Sequence, residues 1–350
     1  MAEGLSFLNS FSASAAIQTV SNNESAAMFT KEDLQSAQTL VAKHMHQTPQ
    51  YAWPQLQARL GCKVWVKHEN HTPTGSFKVR GAITYIDWLK TTQPECPGII
   101  TATRGNHGQG QAMAATAAEM RAVVYVPHGN SHEKNEAMRA FGAELVEFGA
   151  DFDEARAEVF RVAAQQGLQF VPPFHRELVR GVATYAFELL SAQPQIKTLY
   201  VPIGCGSGIC GCIAARDALG LDTEIVGVVS EHAQTAKLSV EAGHMVETNS
   251  ALTFADGIAV RVPVQEALDI YAKGASRIIT VSDEEIAEAI RIYYRDIHNL
   301  AEGAGAAPLA GLRKEHANNQ GQEVAVILCG GNIDADWFTA VLQGTVPKSR

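Results

Sequence analysis

The stretch Glu69–Ala82, which reads E-N-H-T-P-T-G-S-F-K-V-R-G-A, organises the interpretation of this 350-residue chain. Alternating apolar residues precede it and predict a β-strand. A turn is predicted at Thr72–Gly75, and apolar residues recur at helical spacing from Val79. Lys78 therefore lies where a strand turns into a helix, a position that suits a Schiff-base amine. The alternative is a surface lysine at a helix start, although the helix dipole disfavours a cation there.

The composition is that of a globular α/β protein. Hydrophobic residues make up 46% of the chain, 29 residues are glycine, and the net charge is −9. A chain of this length favours two domains or lobes. It has no basic cluster and no apolar run long enough to span a membrane, so we expect neither a nucleic-acid nor a membrane partner.

The cysteines indicate a cytoplasmic protein. They are scattered through apolar or Gly-rich contexts, as is typical of reduced thiols and not of a disulfide framework. Cys210-x-Cys212 lacks a second pair at zinc spacing, so we expect no metal site there. Residues 1–28 are rich in Ser, Ala and Asn and lack the apolar region of a secretory signal, so we predict a mobile N-terminal tail. The cysteine positions are 62, 96, 205, 210, 212 and 329.

Strand and helix patterns alternate along the chain, which predicts parallel strands joined by helical crossovers. A turn at 172–176, P-P-F-H-R, is expected to return the chain to a second lobe. The predicted strands are 98–102, 122–126, 144–147, 197–203, 224–230, 277–281 and 323–329. The predicted helices include 77–90, 132–141, 151–166, 177–192, 208–219 and 333–343.

The loop after strand 197–203 reads P-I-G-C-G-S-G-I-C-G and predicts an anion site. Its four glycines allow backbone N–H groups to face inward, and the next helix presents its N-terminus, so we expect a phosphate here. The spacing Gly206-x-Gly208-x-x-Gly211, with Glu231 after the next strand, also fits a dinucleotide site. A NAD-dependent oxidoreductase is therefore the alternative, although it leaves Lys78 without a role.

Two further stretches bear on the chemistry. T-R-G-N-H-G-Q-G occupies 103–110, directly after a predicted strand. C-G-G-N, at 329–332, ends the strand 323–329, and its small residues suit a ligand ring that lies against backbone. A plain strand-to-helix turn is the alternative at this second position.

Together these stretches resemble pyridoxal-phosphate enzymes of the tryptophan synthase β-subunit type, most closely the threonine/serine dehydratase and serine racemase branch. S-F-K-V-R-G-A, T-R-G-N-H-G-Q, the Gly-rich loop and C-G-G-N occur in the family's order. P-P-F, A-D-G and E-G-A-G-A, at 172–174, 255–257 and 302–306, fit as well. The resemblance implies an α/β fold with two open, mostly parallel twisted sheets flanked by helices. It also implies a small lobe at 98–174 inserted in a large lobe formed by 29–97 and 175–350.

The resemblance also implies roles for individual residues. Lys78 would form the Schiff base with pyridoxal 5'-phosphate and act as the base at Cα. Phe77 would pack against the cofactor ring, Asn106 would bond its phenolic oxygen, and Cys329 would face its pyridine nitrogen. The phosphate would be cradled by Gly204, Cys205, Gly206, Ser207 and Gly208. The substrate carboxylate would be held by the loop that contains Thr103, Arg104, Gly105 and His107.

The implied activity is β-elimination from a β-hydroxy-α-amino acid to a 2-oxo acid and ammonia. A thiol cannot hold the pyridine nitrogen protonated as a carboxylate would, so the ring is a poorer electron sink and rapid loss of a hydroxyl is favoured over transamination. L-threonine or L-serine is the default substrate, and 3-hydroxyaspartate and 3-phenylserine remain open. Dimers are usual in the family, so we expect a homo-oligomer.

Departures from the family pattern add expectations. Arg104 stands where racemases carry a serine; because arginine is a poor proton shuttle, we predict little racemisation. The Arg104 side chain could instead clamp a carboxylate through paired hydrogen bonds, and the alternative is that it points to solvent. Metal-dependent relatives have an acidic cluster after the strand that ends at Glu231, but Lys237 occupies one of its positions. Its ammonium is expected to replace the cation, so we predict no divalent metal requirement. The chain ends soon after C-G-G-N, so we expect no regulatory domain and no isoleucine feedback.

Overall fold

The computed structural model describes residues 27–349. The predicted N-terminal tail, 1–28, lies almost entirely outside the described residues. The strands are β1 (Gln50–Ala52), β2 (Lys63–His68), β3 (Gly98–Ala102), β4 (Arg121–Val126), β5 (Glu144–Glu147), β6 (Gln169–Phe170), β7 (Thr198–Pro202), β8 (Glu224–Ser230), β9 (Arg277–Val281) and β10 (Glu323–Leu328).

Helices connect most of these strands, as the alternating pattern predicts. They are α1 (Lys31–Val41), α2 (Pro54–Leu60), α3 (Lys78–Thr92), α4 (Asn106–Ala117), α5 (His132–Ala140), α6 (Phe152–Gln166), α7 (Arg176–Ala192), α8 (Ser207–Ala218), α9 (Thr235–Ala242), α10 (Gln265–Gly274), α11 (Asp283–Ile297), α12 (Gly303–Lys314) and α13 (Ala335–Leu342). None of these helices is both long and apolar enough to span a membrane.

The strands form two sheets. The larger has the order β1-β2-β10-β7-β8-β9, in which every pair is parallel except β1 with β2. The smaller has the order β5-β4-β3-β6 and is parallel throughout. The smaller sheet is built from chain that lies between two segments of the larger one. The predicted fold class, two mostly parallel sheets flanked by helices, is confirmed.

The central strands are buried from end to end. Every residue of β3 and of β7 is inaccessible to solvent, as expected for parallel strands with helices on both faces. The largest apolar cluster lies around the larger sheet. A second cluster joins α3 to the smaller sheet through Val79, Ile83 and Ile99. Helix α3 therefore packs against the smaller sheet, and the lobe limits at 98 and 174 remain a prediction.

The sequence patterns missed several elements. β1 and β6 have three and two residues, which is too few for a period to show. α2 has signals that could have been used: Pro54 is its first residue, and Gly61 ends it at a φ of 70°. α10 falls in a stretch with little predicted structure and is held by buried Ala267, Leu268 and Tyr271.

Candidate active site

The lysine turn lies against the C-G-G-N stretch because their strands are neighbours. β10 lies between β2 and β7 and is parallel to both, so the carboxyl ends of all three strands meet at one edge of the sheet. The Phe77 N–H donates to the Cys329 carbonyl at 3.0 Å, and the Gly331 N–H donates to the Gly75 carbonyl at 2.9 Å. The lysine turn, the Gly-rich loop and C-G-G-N are thereby brought together.

Lys78 is the first residue of α3, and its amine faces the Gly-rich loop. Nζ lies 3.5 Å from Ser207 Oγ and 4.7 Å from the centroid of the Phe77 ring. The side chain is half-buried, whereas Ser207 is buried. The amine is therefore held at the edge of the loop that the sequence predicts to bind phosphate.

The Gly-rich loop leaves backbone donors at a buried helix end. α8 begins after Gly206, whose φ of 97° suits glycine, and no side-chain hydrogen bond caps this helix. A Cβ at Gly206 would lie 2.5 Å from the Cβ of Ala267, and one at Gly204 would lie 2.4 Å from the Gly257 carbonyl oxygen. Side chains are thus excluded here, and uncapped amides at a helix N-terminus suit a phosphate.

Phe77 and Tyr185 form the wall beside this loop. Their rings meet edge to face, with centroids 5.9 Å apart. The Tyr185 hydroxyl donates to the Gly208 carbonyl at 3.1 Å and accepts from the Cys212 thiol at 3.4 Å. Tyr185 was not identified from the sequence, and it fixes both the ring of Phe77 and the first turn of α8.

Asn106 begins α4 and is held by residues from three distant parts of the chain. Its Nδ2 donates to Glu302 Oε1 at 2.7 Å, and its Oδ1 accepts from Asn332 Nδ2 at 2.7 Å. Asn332 Nδ2 also donates to the Thr74 carbonyl at 2.8 Å. Because a carbonyl can only accept, this chain of bonds defines which side of the Asn106 amide is the nitrogen.

The T-R-G-N-H loop combines buried and exposed residues. Thr103 is buried, and its Oγ1 accepts from the Gly105 N–H at 3.1 Å. A Cβ at Gly105 would lie 2.8 Å from Cδ of Lys134, which packs against the loop. Arg104 is exposed, and its carbonyl accepts from Asn130 Nδ2 at 3.3 Å. The predicted substrate residues thus lie in one loop, in which Arg104 is the exposed member.

Cys329 and His107 are both uncharged groups in this site. Burial raises the pKa of the Cys329 thiol well above its ordinary value, and the carboxylate of Glu302 acts in the same direction. Burial, followed by the charge of Lys78, lowers the pKa of His107 to about 3. His107 also bonds the Val171 backbone, and its buried Nε2 has no partner among residues 27–349. A neutral imidazole and a neutral thiol therefore lie within electrostatic reach of the Lys78 amine.

Several buried polar atoms have no hydrogen-bond partner in the described part of the chain. They include Ser76 Oγ, His107 Nε2, Glu302 Oε2 and the Tyr293 hydroxyl. His107 and Glu302 both lie within electrostatic reach of Lys78. Buried polar atoms are nearly always satisfied in native proteins, so these exceptions indicate a place for a polar ligand. The residues present fit pyridoxal phosphate: an amine, an anion cradle, a flanking aromatic ring and a neutral partner for the ring nitrogen.

The region near Glu231 does not have the predicted pairing. Lys237 forms an ion pair with Glu241 in the next helical turn. Oε1 of Glu231 lies 3.7 Å from Nε2 of the adjacent His232. Lys237 therefore does not take the place of a cation beside Glu231. Within residues 27–349 no group of three or more His, Cys, Asp or Glu side chains is arranged to hold a metal, and the absence of a metal requirement remains a prediction.

The fold and the site together define a class of protein: an α/β enzyme whose lysine amine faces a glycine-lined anion cradle at the edge of a parallel sheet. Within that class, the chain belongs to the pyridoxal-phosphate-dependent enzyme family, whose sequence pattern matches residues 41–330. The cofactor expected from the sequence is thereby confirmed. Because the match covers the Gly-rich loop and names pyridoxal phosphate as the cofactor, the NAD alternative has no support from it.

Comparison with known proteins finds relatives that are named as amino-acid lyases. It is 34% identical over 291 residues to the biosynthetic L-threonine dehydratase of Pasteurella multocida, covering 82% of this chain and 56% of that protein. It is 32% identical over 301 residues to the L-threo-3-hydroxyaspartate ammonia-lyase of Pseudomonas sp., covering 85% and 94%. The processed form of threonine deaminase isoform 2 from Solanum lycopersicum superposes with a TM-score of 0.83 at 26% identity, covering 94% and 99%. The chain thus spans little more than half of the P. multocida relative.

Proposed function

We propose that this protein is a pyridoxal-phosphate-dependent ammonia-lyase that converts a β-hydroxy-α-amino acid to a 2-oxo acid and ammonia. The observation that supports it most directly is the Lys78 amine, 3.5 Å from the hydroxyl of Ser207 at the uncapped start of α8. The relatives named for threonine and for 3-hydroxyaspartate support the reaction class. A cytoplasmic location and a homo-oligomeric state are part of the same proposal.

We assign the roles as follows. The Gly204–Gly208 backbone binds the phosphate, Phe77 and Asn106 orient the ring, and the Cys329 thiol faces its nitrogen. When bound, the cofactor supplies an aldehyde for the amino group and an electron sink for the bond at Cα. The Lys78 amine would be the base that takes the Cα proton. The half-buried position of this amine excludes bulk water on one side while it remains open to the substrate.

The Cys329 thiol favours elimination over other outcomes. Its pKa is raised by burial, so it is neutral and cannot stabilise a protonated ring nitrogen as a carboxylate would. With a neutral partner for its ring nitrogen, the bound cofactor would be a weaker electron sink, which would favour loss of a hydroxyl from Cβ over return of a proton to Cα. This preference applies to any substrate with a hydroxyl at Cβ.

Three kinds of β-hydroxy-α-amino acid are candidate substrates. L-threonine or L-serine needs only the loop around Thr103 and Gly105 to hold its carboxylate. The exposed Arg104 side chain would suit a second carboxylate, as in 3-hydroxyaspartate, because guanidinium binds carboxylates through paired hydrogen bonds. The similarity to an L-threo-3-hydroxyaspartate ammonia-lyase favours testing this second substrate beside the first. 3-Phenylserine also remains open.

The test compares Lys78→Ala with Lys90→Ala, a change at the other end of the same helix. Lys90 is exposed, and its Nζ donates to the Ala118 carbonyl at 2.8 Å. We expect Lys90→Ala to keep the visible absorbance band and the release of 2-oxo acid, and Lys78→Ala to lose both while its circular dichroism is unchanged. Borohydride should bleach the wild-type band and add the coenzyme's mass to the peptide that contains Lys78. Wild-type turnover by Lys78→Ala would refute the assignment.

The substrate is then identified with a panel of L-threonine, L-serine, L-threo-3-hydroxyaspartate and 3-phenylserine, assayed for 2-oxo acid. If a carboxylate clamp operates, Arg104→Gln should lower kcat/KM for 3-hydroxyaspartate by about tenfold or more and leave threonine nearly unchanged. Equal losses on both substrates would place Arg104 on the α-carboxylate instead.

A further inference from the structure

Glu302 is a buried carboxyl group that the proposed mechanism does not use. It precedes the first residue of α12, its N–H donates to the Gly330 carbonyl at 3.1 Å, and its side chain is 3% exposed. Oε1 accepts from Asn106, whereas Oε2 has no partner among the described residues. A Cβ at Gly330 would lie 2.3 Å from Oε1, so the glycine of C-G-G-N is what admits this carboxyl group.

The bond from Asn106 to Glu302 uses one of two amide hydrogens. Asn332 donates to the amide oxygen of Asn106, which orients the amide, and Glu302 takes one hydrogen of Nδ2. The second hydrogen of Nδ2 remains available as a donor. Removing either neighbour would free the amide to rotate about its terminal torsion, which has a broad energy profile.

Charged groups from several elements face this carboxyl group. Burial, followed by the charge of Asp256, raises the pKa of Glu302 to about 7. The ammonium of Lys134 on α5, the Asn106 hydrogen bond and the ammonium of Lys78 act in the opposite direction. Lys134 and Asp256 are themselves joined as an ion pair.

The thiol of Cys329 is a further titratable neighbour, and it is neutral because burial raises its pKa. Glu302 can accept from Asn106 through Oε1 whether ionised or neutral. In the neutral form the proton has a place on Oε2, because no described residue already bonds that atom.

We propose that Glu302 is a positioning residue that holds the Asn106 amide so that its second Nδ2 hydrogen faces the coenzyme's phenolic oxygen. The inference rests on the proposed function, since it takes Asn106 as a coenzyme ligand. The positioning role depends more on the length of the Glu302 side chain and on its acceptor oxygen than on its charge. Glu302 also acts as a proton-holding group within the site, which gives it a signature that can be measured without coenzyme.

Two substitutions of Glu302 separate the effect of its side-chain length from the effect of its charge. Glu302→Gln keeps the length and an acceptor oxygen but removes the charge, and Glu302→Asp keeps the charge but is one methylene shorter. Glu315→Gln is the matched control, because Glu315 lies at the opposite end of α12 and bonds Tyr200 and Arg277. All are compared with wild type for pyridoxal phosphate affinity by quenching of tryptophan fluorescence, and for kcat and KM.

We expect Glu302→Asp to weaken coenzyme affinity by about tenfold or more and Glu302→Gln to stay within about threefold of wild type. Both should lower kcat more than they raise the substrate KM, because the residue acts on the coenzyme and not on the substrate. Glu315→Gln should match wild type. The reverse order, with Glu302→Asp like wild type and Glu302→Gln impaired, would overturn the positioning role.

The apoprotein gives the second readout, thermal unfolding as a function of pH. A folded pKa raised above the unfolded value adds stability that is complete below the unfolded pKa and is lost as the pH rises through the folded one. Between about pH 5 and about pH 8, Glu302→Gln should therefore lose less of its Tm than wild type does. Identical pH dependence of the two would refute the proton-holding role. If wild type takes up no coenzyme, the proposed function and the positioning role both fail. The pH dependence of Tm in the apoprotein still tests the proton-holding role in that case.

Discussion

Replacing Arg80 with methionine should destabilise the protein strongly and disturb the turn that bears Lys78. Arg80 lies two residues beyond Lys78 and is fully buried. Its guanidinium donates to both oxygens of Glu69 at 2.7 and 3.0 Å and to both oxygens of Glu188 at 2.7 and 3.0 Å. Glu69 precedes the lysine turn and Glu188 lies on α7, so Arg80 ties three elements together.

The magnitude follows from the charge balance of the buried group. Lys67 bonds Glu188 at 2.6 Å, so two cations face two carboxylates, and all four side chains are at most 3% exposed. Methionine at position 80 leaves one buried negative charge without a partner. Removing one partner of a buried ion pair costs about 3–5 kcal/mol. For a protein of this size that corresponds to a fall in Tm of roughly 10 °C.

The assay is urea and thermal unfolding followed by circular dichroism, with Arg121→Met as the control. Arg121 forms a similar two-bond pair with Glu144, but both side chains are exposed, so a loss of about 1 kcal/mol or less is expected. Adding Glu69→Gln to Arg80→Met restores neutrality and should recover about 1–3 kcal/mol relative to the sum of the single changes. Additive losses, or an Arg80 variant no less stable than the control, would show that the buried charges are not coupled.

Two further results are expected. Gly206→Ala should weaken pyridoxal phosphate binding by about tenfold, because φ is 97° there and the new Cβ would lie 2.5 Å from Ala267. The control Gly220→Ala should leave binding unchanged, since φ is 63° and no atom lies within 4 Å of the new Cβ. Equal binding by the two variants would argue against the glycine cradle. Activity should survive EDTA, measured as 2-oxo acid release, and a loss that magnesium restores would establish the metal requirement that the sequence argues against.

Local features of the chain were predictable because they depend on neighbours in sequence. The strand, turn and helix around Lys78, the glycine loop at 204–208 and the bounds of six helices, to within about two residues, follow from periodicity and turn chemistry. Helix α11 is an example. The spacing of Ser282 and Glu285 in the sequence is that of a capping box, and both of its hydrogen bonds are present in the structure. Elements of two or three residues, such as β1 and β6, have too few positions to show a period.

The partners of the site residues required the tertiary structure. Asn106 meets Glu302 across 196 positions of sequence and Asn332 across 226, and nothing in the local pattern of any of them specifies that contact. The burial of Arg80 could not be predicted from the sequence. A charged residue is expected at the surface unless its carboxylate partners are known, and only the structure shows these partners.

By itself the sequence determined the class of fold and the coenzyme, and it led to the prediction that Lys78 binds that coenzyme, because these features depend on short stretches whose chemistry is local. Only the tertiary structure decided how the stretches meet. The strand order places β10 between β2 and β7, and the lysine turn, C-G-G-N and the glycine loop therefore come to one edge of the sheet. The physical reason is that strand pairing joins segments far apart in the chain, and the buried groups that surround the amine take their charge state from that assembly.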